Sequence, residues 1–372
     1  MTTTTAERSQ TLPRPTTTVP EVDRVLRRLG LGPLRPDGLT SFPGRNDNWA
    51  GTTESGSGVF VKRIDGPSRT RLERALSFEH ALAQHPETAI ALRSPRYLGG
   101  DEHLMVFELL DTALPGSDLA DRPDGFGTDH CHRAGRMLAA LHAMPPTGRL
   151  DRSGAPFVPL RHLRALPLDS YLAASRAELQ AWSLLQKDQP VAAALDALAV
   201  PPTPVRQRPV HGDLRLDQFL VRERPGRQAE LYLTDWEEFR MGDPARDVGS
   251  FAGEWLYRAV MASARHAGGE EATRARVMES VAQQINDVRP RIIAFWQGYL
   301  AYDERPDNEL PVRATAFAGW HLYDRMLAAA NGSPRLGAYS RAAAGIGRQA
   351  LVDPRRFTGV VGLDGLGERD AR

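Results

Sequence analysis

A polar cluster between apolar flanks stands in the second half of the chain, Val210-His211-Gly212-Asp213-Leu214-Arg215-Leu216-Asp217-Gln218-Phe219-Leu220-Val221. Further on, the strand-like run Glu230-Leu231-Tyr232-Leu233-Thr234 delivers Asp235 at its end, followed by Trp236-Glu237. A carboxylate in such a loop and a second at a strand end are the parts from which a Mg2+–ATP site is assembled. One acid accepts or orients the proton of an acceptor hydroxyl, and the other holds the metal that bridges the phosphates.

A second pairing comes from the first hundred residues. Val59-Phe60-Val61-Lys62-Arg63-Ile64 predicts a strand, and Ser68 to Gln84 predicts a helix. On a helical wheel Leu72, Ala75, Leu76, Leu82 and Ala83 form one apolar arc, with Glu79 in its middle and Glu73 on the polar side. A carboxylate on an apolar face is costly unless paired. Lys62 is the expected partner, in the strand-lysine and helix-glutamate arrangement by which kinases hold the α- and β-phosphates. The alternative is that Glu79 reaches solvent at the helix edge. Of 47 basic residues only Lys62 and Lys187 are lysines. A lysine offers a phosphate a compact point charge, where arginine offers a planar fork.

The elements that must position these groups follow from the pattern along the chain. Residues 1–20 are rich in Thr, Pro and Arg and read as a disordered tail. Glu21 to Leu29 suits a short helix that stops at Gly30 and Gly32, and Leu104 to Leu110 a second strand. Asp111 to Gly127 is rich in Gly, Pro and Asp and reads as a linker or hinge. Asp129 to Met144, segments of Leu168 to Leu198, and Asp247 to Ile346 are helical in character, with two short strands around the polar loop in 205–239. The expected division is a strand-rich lobe over 21–110, a hinge over 111–127, a helical lobe over 128–355 that carries the catalytic and metal loops, and a tail over 356–372. That order predicts an α+β fold rather than alternating α/β. Ahead of the Lys62 strand, Gly44-Arg45-Asn46-Asp47-Asn48-Trp49 stands where a loop would cover the phosphates. Arg45 or Asn46 could contact a phosphate there, or the segment is an ordinary β-turn. Phe60 shares a strand face with Lys62 and packs either near adenine or in the core.

Bulk properties narrow the class. The 372 residues are 41% hydrophobic and 25% charged, ordinary for a globular protein, and the net charge of +1 marks neither a nucleic-acid nor a membrane binder. A single cysteine, Cys131, excludes an internal disulfide framework. No apolar run approaches the ~18 residues of a membrane span, and Met1 to Thr11 lacks the apolar core of a secretory signal. A cytoplasmic protein is expected. His130, Cys131 and His132 are too close together to chelate one metal from a single helical turn, and Trp255, Trp296 and Trp320 read as helical core.

His211-Gly212-Asp213, Asp235-Trp236-Glu237, Gly242-Asp243-Pro244 and Asp247 together resemble, in order and spacing, the aminoglycoside phosphotransferase and choline kinase superfamily, relatives of protein kinases. The resemblance implies a bilobal protein-kinase-like fold, with a small β-rich lobe and a larger, mainly helical lobe. It implies ATP and Mg2+ as cofactors, Asp213 as catalytic base or orienter of the nucleophile, and Asp235 as a metal ligand. His211 and Asp247 would hold the loop through hydrogen bonds, with His211 buried. Glu108 and Leu110 lie in the segment that would offer backbone groups to adenine. Leu138-Ala139-Ala140-Leu141-His142 resembles a helix that packs on the catalytic loop, so His142 is expected to be structural. One position departs from the pattern: Gln218 stands where the family has a metal-binding Asn. Its extra methylene displaces the carbonyl that the tight octahedral geometry of magnesium requires, and Asp217 is an alternative ligand. Glu237 is either a further ligand or a solvated loop acid.

The segments at 44–49, 211–218 and 235–238 are similar to those of the stand-alone kinases of class V lanthipeptide and thioamitide pathways. That resemblance implies phosphorylation of Ser or Thr in a precursor peptide, after which a lyase removes the phosphate to leave a dehydroamino acid, with a cyclase as a further partner. Acceptors such as an aminoglycoside, choline or a sugar, and a catalytically silent scaffold that binds nucleotide or peptide, are the alternatives. After Asp247 the acids Glu254, Glu270, Glu271, Glu279 and Asp287 are mixed with many arginines, Arg258, Arg265, Arg274, Arg276, Arg289 and Arg291 among them. Such a surface is a poor trap for a polycation and suits a peptide with acidic groups.

Overall fold

The computed structural model describes residues 20–42, 47–64, 69–122, 125–148, 150–153, 160–201, 203–266, 274–302 and 307–364. The chain starts with α1 (Pro20–Arg28), β1 (Thr40–Phe42), β2 (Asn48–Thr52), β3 (Gly58–Arg63), α2 (Arg69–Gln84), α3 (Pro86–Ala91), β4 (Tyr97–Gly100), β5 (Leu104–Glu108) and β6 (Leu114–Pro115). There follow α4 (Gly116–Ala120), α5 (Thr128–Ala143), α6 (Leu160–Arg164), α7 (Leu168–Ala173), α8 (Arg176–Lys187), α9 (Gln189–Ala199) and β7 (Arg208–Val210). The remainder is β8 (Phe219–Arg224), β9 (Arg227–Leu233), β10 (Arg240–Gly242), α10 (Ala245–His266), α11 (Arg274–Tyr302), α12 (Leu310–Ala330), α13 (Ala338–Val352) and α14 (Pro354–Val361).

These elements fall into two units. The sheet unit comprises the chain up to Pro115 together with Gln218–Phe239, and the helical unit comprises Gly116–Asp217 and Arg240 onward. The expected α+β class is what is observed.

In the sheet unit five antiparallel strands take the order β1-β2-β3-β5-β4. The alternation of β3 explains its placement: Val59 and Val61 are fully buried, while Phe60 and Lys62 lie on the other face. Val59 and Val61 share a core with Trp49, Leu104, Val106 and the α1 residues Val22, Val25 and Leu26. Helix α1 itself is well specified, with proline at its start, Glu21 and Asp23 in the first turn, and Arg27 and Arg28 in the last. A second sheet in this unit has the order β6-β8-β9.

In the helical unit α5 packs on α11, and α10 and α12 pack together with α13 against α12. The α5–α11 crossing needs glycine, because a Cβ on Gly135 would come within 1.9 Å of the Phe295 carbonyl oxygen. Strands β7 and β10 pair as a short antiparallel ribbon that flanks the His211 loop.

Three expectations differ from the structure. The segment 111–127 is not a bare linker. It contains β6 and α4, and Leu119 and Phe126 are buried. Gln218–Phe239, expected within the helical lobe, groups with the sheet unit through a β8–β9 hairpin that pairs with β6. The C-terminal segment from 356 is helical in α14, with Thr358, Val361 and Leu363 buried. Arg45 and Asn46 lie outside the described residues.

Candidate active site

In the sheet unit Lys62 projects from β3 toward the end of β9, where Asp235 begins a one-turn 3-10 helix, Trp236–Glu238. Asp235 has φ 73 and ψ 61, a left-handed conformation that Asp tolerates better than most residues but that still costs about 1 kcal/mol. The Lys62 Nζ donates to Asp235 Oδ1 at 2.6 Å and pairs with Glu237 Oε1 at 2.6 Å. Burial works against the ammonium charge, but the Asp235 and Glu237 carboxylates outweigh it and hold the lysine above its usual range. The third acid of the turn, Glu238, is held by Arg74 at 3.0 Å and Arg71 at 3.7 Å, both from α2.

Two carboxylates converge here on one ammonium. An all-oxygen pair of carboxylates is the donor type that a hard divalent cation takes, and Arg71 also approaches Glu237 Oε2 at 4.0 Å. Asp235 and Glu237 therefore fit a magnesium ion by chemistry. Among the described residues no group of three or more His, Cys, Asp or Glu is gathered as a ready-made metal cage.

The expected Lys62–Glu79 pair is not formed. Lys62 is engaged by Asp235 and Glu237, while Glu79 Oε1 is buried without a hydrogen-bond partner among the described residues. Burial pushes the Glu79 carboxyl up to about 7. Helix rotation gives the reason. Phe78 stacks on Trp236 with ring centroids 3.5 Å apart and planes at 7°, which turns Leu72, Ala75, Phe78 and Ala81 inward and leaves Leu76 36% exposed. The predicted arc had placed Leu76 and Ala83 inside.

In the helical unit the Asp213 loop is held from behind by Asp247, in the first turn of α10. Asp247 is fully buried, and its Oδ2 accepts from the His211 amide at 2.7 Å while Oδ1 accepts from the Gly212 amide at 2.9 Å. Gly212 has φ +85, which a side chain would resist, and this turn lets both amides reach one carboxylate. His142 of α5 bridges Asp247 Oδ2 at 3.1 Å and the Tyr299 hydroxyl at 2.8 Å. Burial alone would push the Asp247 carboxyl up. The His142 hydrogen bond and charge, His211 and the Gly212 amide outweigh it and hold the carboxyl below its usual range. His211 is fully buried, and its Nδ1 accepts from the Asp213 amide at 3.4 Å. Asp243 of the Gly242-Asp243-Pro244 turn accepts both Nε and Nη2 of Arg313, at 2.8 and 3.1 Å.

Several of these residues carry no mark in the sequence. Arg71 and Arg74 lie on the polar side of α2, where only their spacing to a distant acidic turn could have marked them. Arg325 of α12 is the other case. Burial disfavours its charge, but Asp324, then Glu254 and Asp213, outweigh that and hold the guanidinium above its usual range. Glu254 is itself bonded to His321 at 3.0 Å. No local motif announces this cluster, because α10 and α12 bring it together.

Of the remaining expected residues, Gln218 is buried and its backbone carbonyl accepts from the Thr234 amide and hydroxyl, each at 3.0 Å. Asp217 is half exposed beside Arg215 at 3.5 Å. The Glu108 amide donates to the Arg96 carbonyl, and Leu110 is buried with its carbonyl accepting from Ala113. No helix among the described residues is long and apolar enough to cross a membrane.

The profile of the phosphotransferase enzyme family matches residues 39–283, more than half of the chain. No match was found among curated protein sequences. Among solved structures, an amicoumacin kinase in complex with AMP-PNP, Ca2+ and amicoumacin matches at a TM-score of 0.50 and 14% identity, over 88% of this chain and 92% of that one. A choline kinase from Streptococcus pneumoniae matches at 0.48 and 15%, over 84% and 93%. A macrolide 2'-phosphotransferase from Brachybacterium faecium matches at 0.46 and 18%, over 91% and 99%. Because the family profile runs through the Lys62 strand, the Asp213 loop and Asp247 alike, the chain belongs to the phosphotransferase enzyme family and moves phosphoryl groups to hydroxyl acceptors.

Proposed function

We propose that the chain transfers the γ-phosphoryl group of Mg2+–ATP to Ser or Thr hydroxyls of a precursor peptide, ahead of phosphate elimination by a separate lyase. The observation that supports the donor side is Lys62 held 2.6 Å from both Asp235 and Glu237. Asp235 and Glu237, with Gln218 as a further candidate, would hold magnesium, which supplies charge neutralisation of the phosphates. Lys62, released from the carboxylates, binds phosphate oxygens, and Glu79 is the buried acid left to receive its remaining charge. Asp213 takes the acceptor proton. The hydroxyl oxygen bonds to phosphorus as the bond to the departing ADP oxygen breaks. Asp247, through the His211 and Gly212 amides, keeps the Asp213 loop in one conformation.

The peptide acceptor rests on the sequence segments at 44–49, 211–218 and 235–238. One observation favours a second reading, a small cationic acceptor: the Arg325 guanidinium, bonded to Asp324 at 2.8 Å, is held above its usual range by the charges of Asp324, Glu254 and Asp213. One assay separates the two readings. The full chain is incubated with Mg2+–ATP and either Ser/Thr peptides or choline, glucosamine and an aminoglycoside, and products are read by mass spectrometry. A gain of about 80 daltons, one phosphoryl group, on peptide is the expected result. Transfer to the small amines alone would replace it with the second reading. Asp213→Asn and Asp235→Ala are each expected to lower turnover about 100-fold or more, and full turnover in either variant would refute its assignment. Nucleotide binding with no transfer to any acceptor would leave a scaffold.

A further inference from the structure

Lys187 is one of the two lysines in the chain and takes no part in the phosphoryl-transfer residues. It ends α8, alongside an open groove in the helical unit. Two cavities of about 450 and about 510 Å3 adjoin there, sharing Ser183 and Leu184. Arg176 lines one end and Lys187 the other, and Arg341 and Arg348 of α13 line the groove as well. Leu179 and Leu184 supply an apolar floor, and Leu184 is 45% exposed.

The charge balance of this groove is one-sided. The only carboxylate among its described lining residues, Asp188, is held by Arg348 through both oxygens, at 2.6 and 3.3 Å. Four cations against one carboxylate leave +3. Arg341 donates to the Leu336 carbonyl. The side chains of Arg176 and Lys187 make no hydrogen bond or ion pair among the described residues. Helix electrostatics accounts for Lys187, at the C-terminal turn of α8, but not for Arg176. A cation in the first turn of a helix opposes the macrodipole. From Arg176 to Lys187 the groove follows α8 for about 16 Å at ~1.5 Å per residue, the reach of roughly five residues of extended chain.

We propose that this groove binds an acidic, partly apolar segment of a polypeptide, with carboxylates against Arg176, Lys187 and Arg341 and an apolar side chain over Leu184. It deepens the peptide reading of the acceptor and rests on that reading for its role, as a recognition surface on the helical unit. The leucines favour a peptide over a nucleic acid, since no described lining residue is aromatic and single-stranded nucleic acid uses aromatic side chains for stacking.

The test is fluorescence anisotropy with the full chain and fluorescein-labelled heptapeptides that alternate leucine with Glu, Gln or Lys, alongside a labelled single-stranded oligonucleotide. The Glu peptide is expected to bind tightest, with affinity that falls as salt rises. The combined Arg176→Glu, Lys187→Glu, Arg341→Glu variant is expected to lose about tenfold or more, and Leu184→Ser to weaken binding at unchanged charge. Equal binding of the three peptides, tighter binding of the oligonucleotide, or indifference to the charge reversal in a variant whose thermal melt is native would overturn the proposal. The readout is independent of phosphoryl transfer. Groove binding without peptide phosphorylation defeats the acceptor reading alone, and phosphorylation with charge-indifferent binding defeats the groove alone.

Discussion

Lys62 faces Asp235 and Glu237 at 2.6 Å each, and Glu237 is shared with Arg71 at 4.0 Å. Glu79 stands apart, a carboxyl whose Oε1 is buried without a hydrogen-bond partner among the described residues and which is pushed up to about 7 from 4.5. Its linkage to stability has a definite sign. In the folded state it keeps its proton up to about pH 7, while the unfolded chain releases that proton near 4.5, so the folded state binds more protons across that window. Stability is therefore full below about 4.5, falls as pH rises to about 7, and is level above; the shift corresponds to at most about 3 kcal/mol. Glu79→Gln should match the native chain at pH 4 and exceed it at pH 8, read as denaturation midpoints. Equal pH profiles for the two would show that Glu79 ionises freely. The residue types of Lys62, Asp213 and Asp235 were legible because strand ends and a polar loop mark them. The partner of Lys62 was not, because a helical wheel places a residue on a face without saying how the helix is turned toward the sheet.

At the scale of elements, α2 is set by Phe78 on Trp236 and by Arg71 and Arg74 on the Glu237–Glu238 turn. The predicted helix span agrees with the observed one to a residue, since its ends lie in local signals, but its inward face depends on an aromatic partner far along the chain. The α5–α11 crossing makes a sharper prediction. In isolation Gly135→Ala would favour the helix by up to about 1 kcal/mol. Here the added Cβ would sit 1.9 Å from the Phe295 carbonyl oxygen and 2.8 Å from the Tyr299 amide, both backbone atoms that cannot swing away. Overpacking wins, and the variant is expected to lose about 1–3 kcal/mol or more, measured by urea unfolding. A gain in stability would mean that the two helices can separate without cost.

At the scale of the whole molecule, the chain builds its sheet unit from two separated stretches, with Gln218–Phe239 joining the residues before Gly116. Trp236 belongs to the later stretch, is 4% exposed, and bonds Ser94 through Nε1 at 3.1 Å. Trp236→Ala is expected to cost about 3 kcal/mol or more. Its signature in hydrogen exchange should be faster exchange in Arg69–Gln84, at the opposite end of the sequence stretch, alongside Asp235–Phe239. Faster exchange confined to 235–239 would show that α2 holds its place without the stacked ring.

The sequence by itself determined the α+β class and the approximate spans of α1, α2, α5, β3 and β5, and it marked Asp213, Asp235, Lys62 and Asp247 as candidates, because periodicity, polar loops and strand ends are local properties of the chain. The linker reading of 111–127 failed for the same reason. Gly, Pro and Asp content says that a segment turns, not that Leu119 and Phe126 find a core to enter. Tertiary structure alone decided which acids hold Lys62, that both oxygens of Asp247 serve the His211 and Gly212 amides, and that His321 bonds Glu254. Each of those contacts joins residues distant in sequence, and their energies depend on burial and approach within a few ångströms, quantities that exist only once the elements have packed.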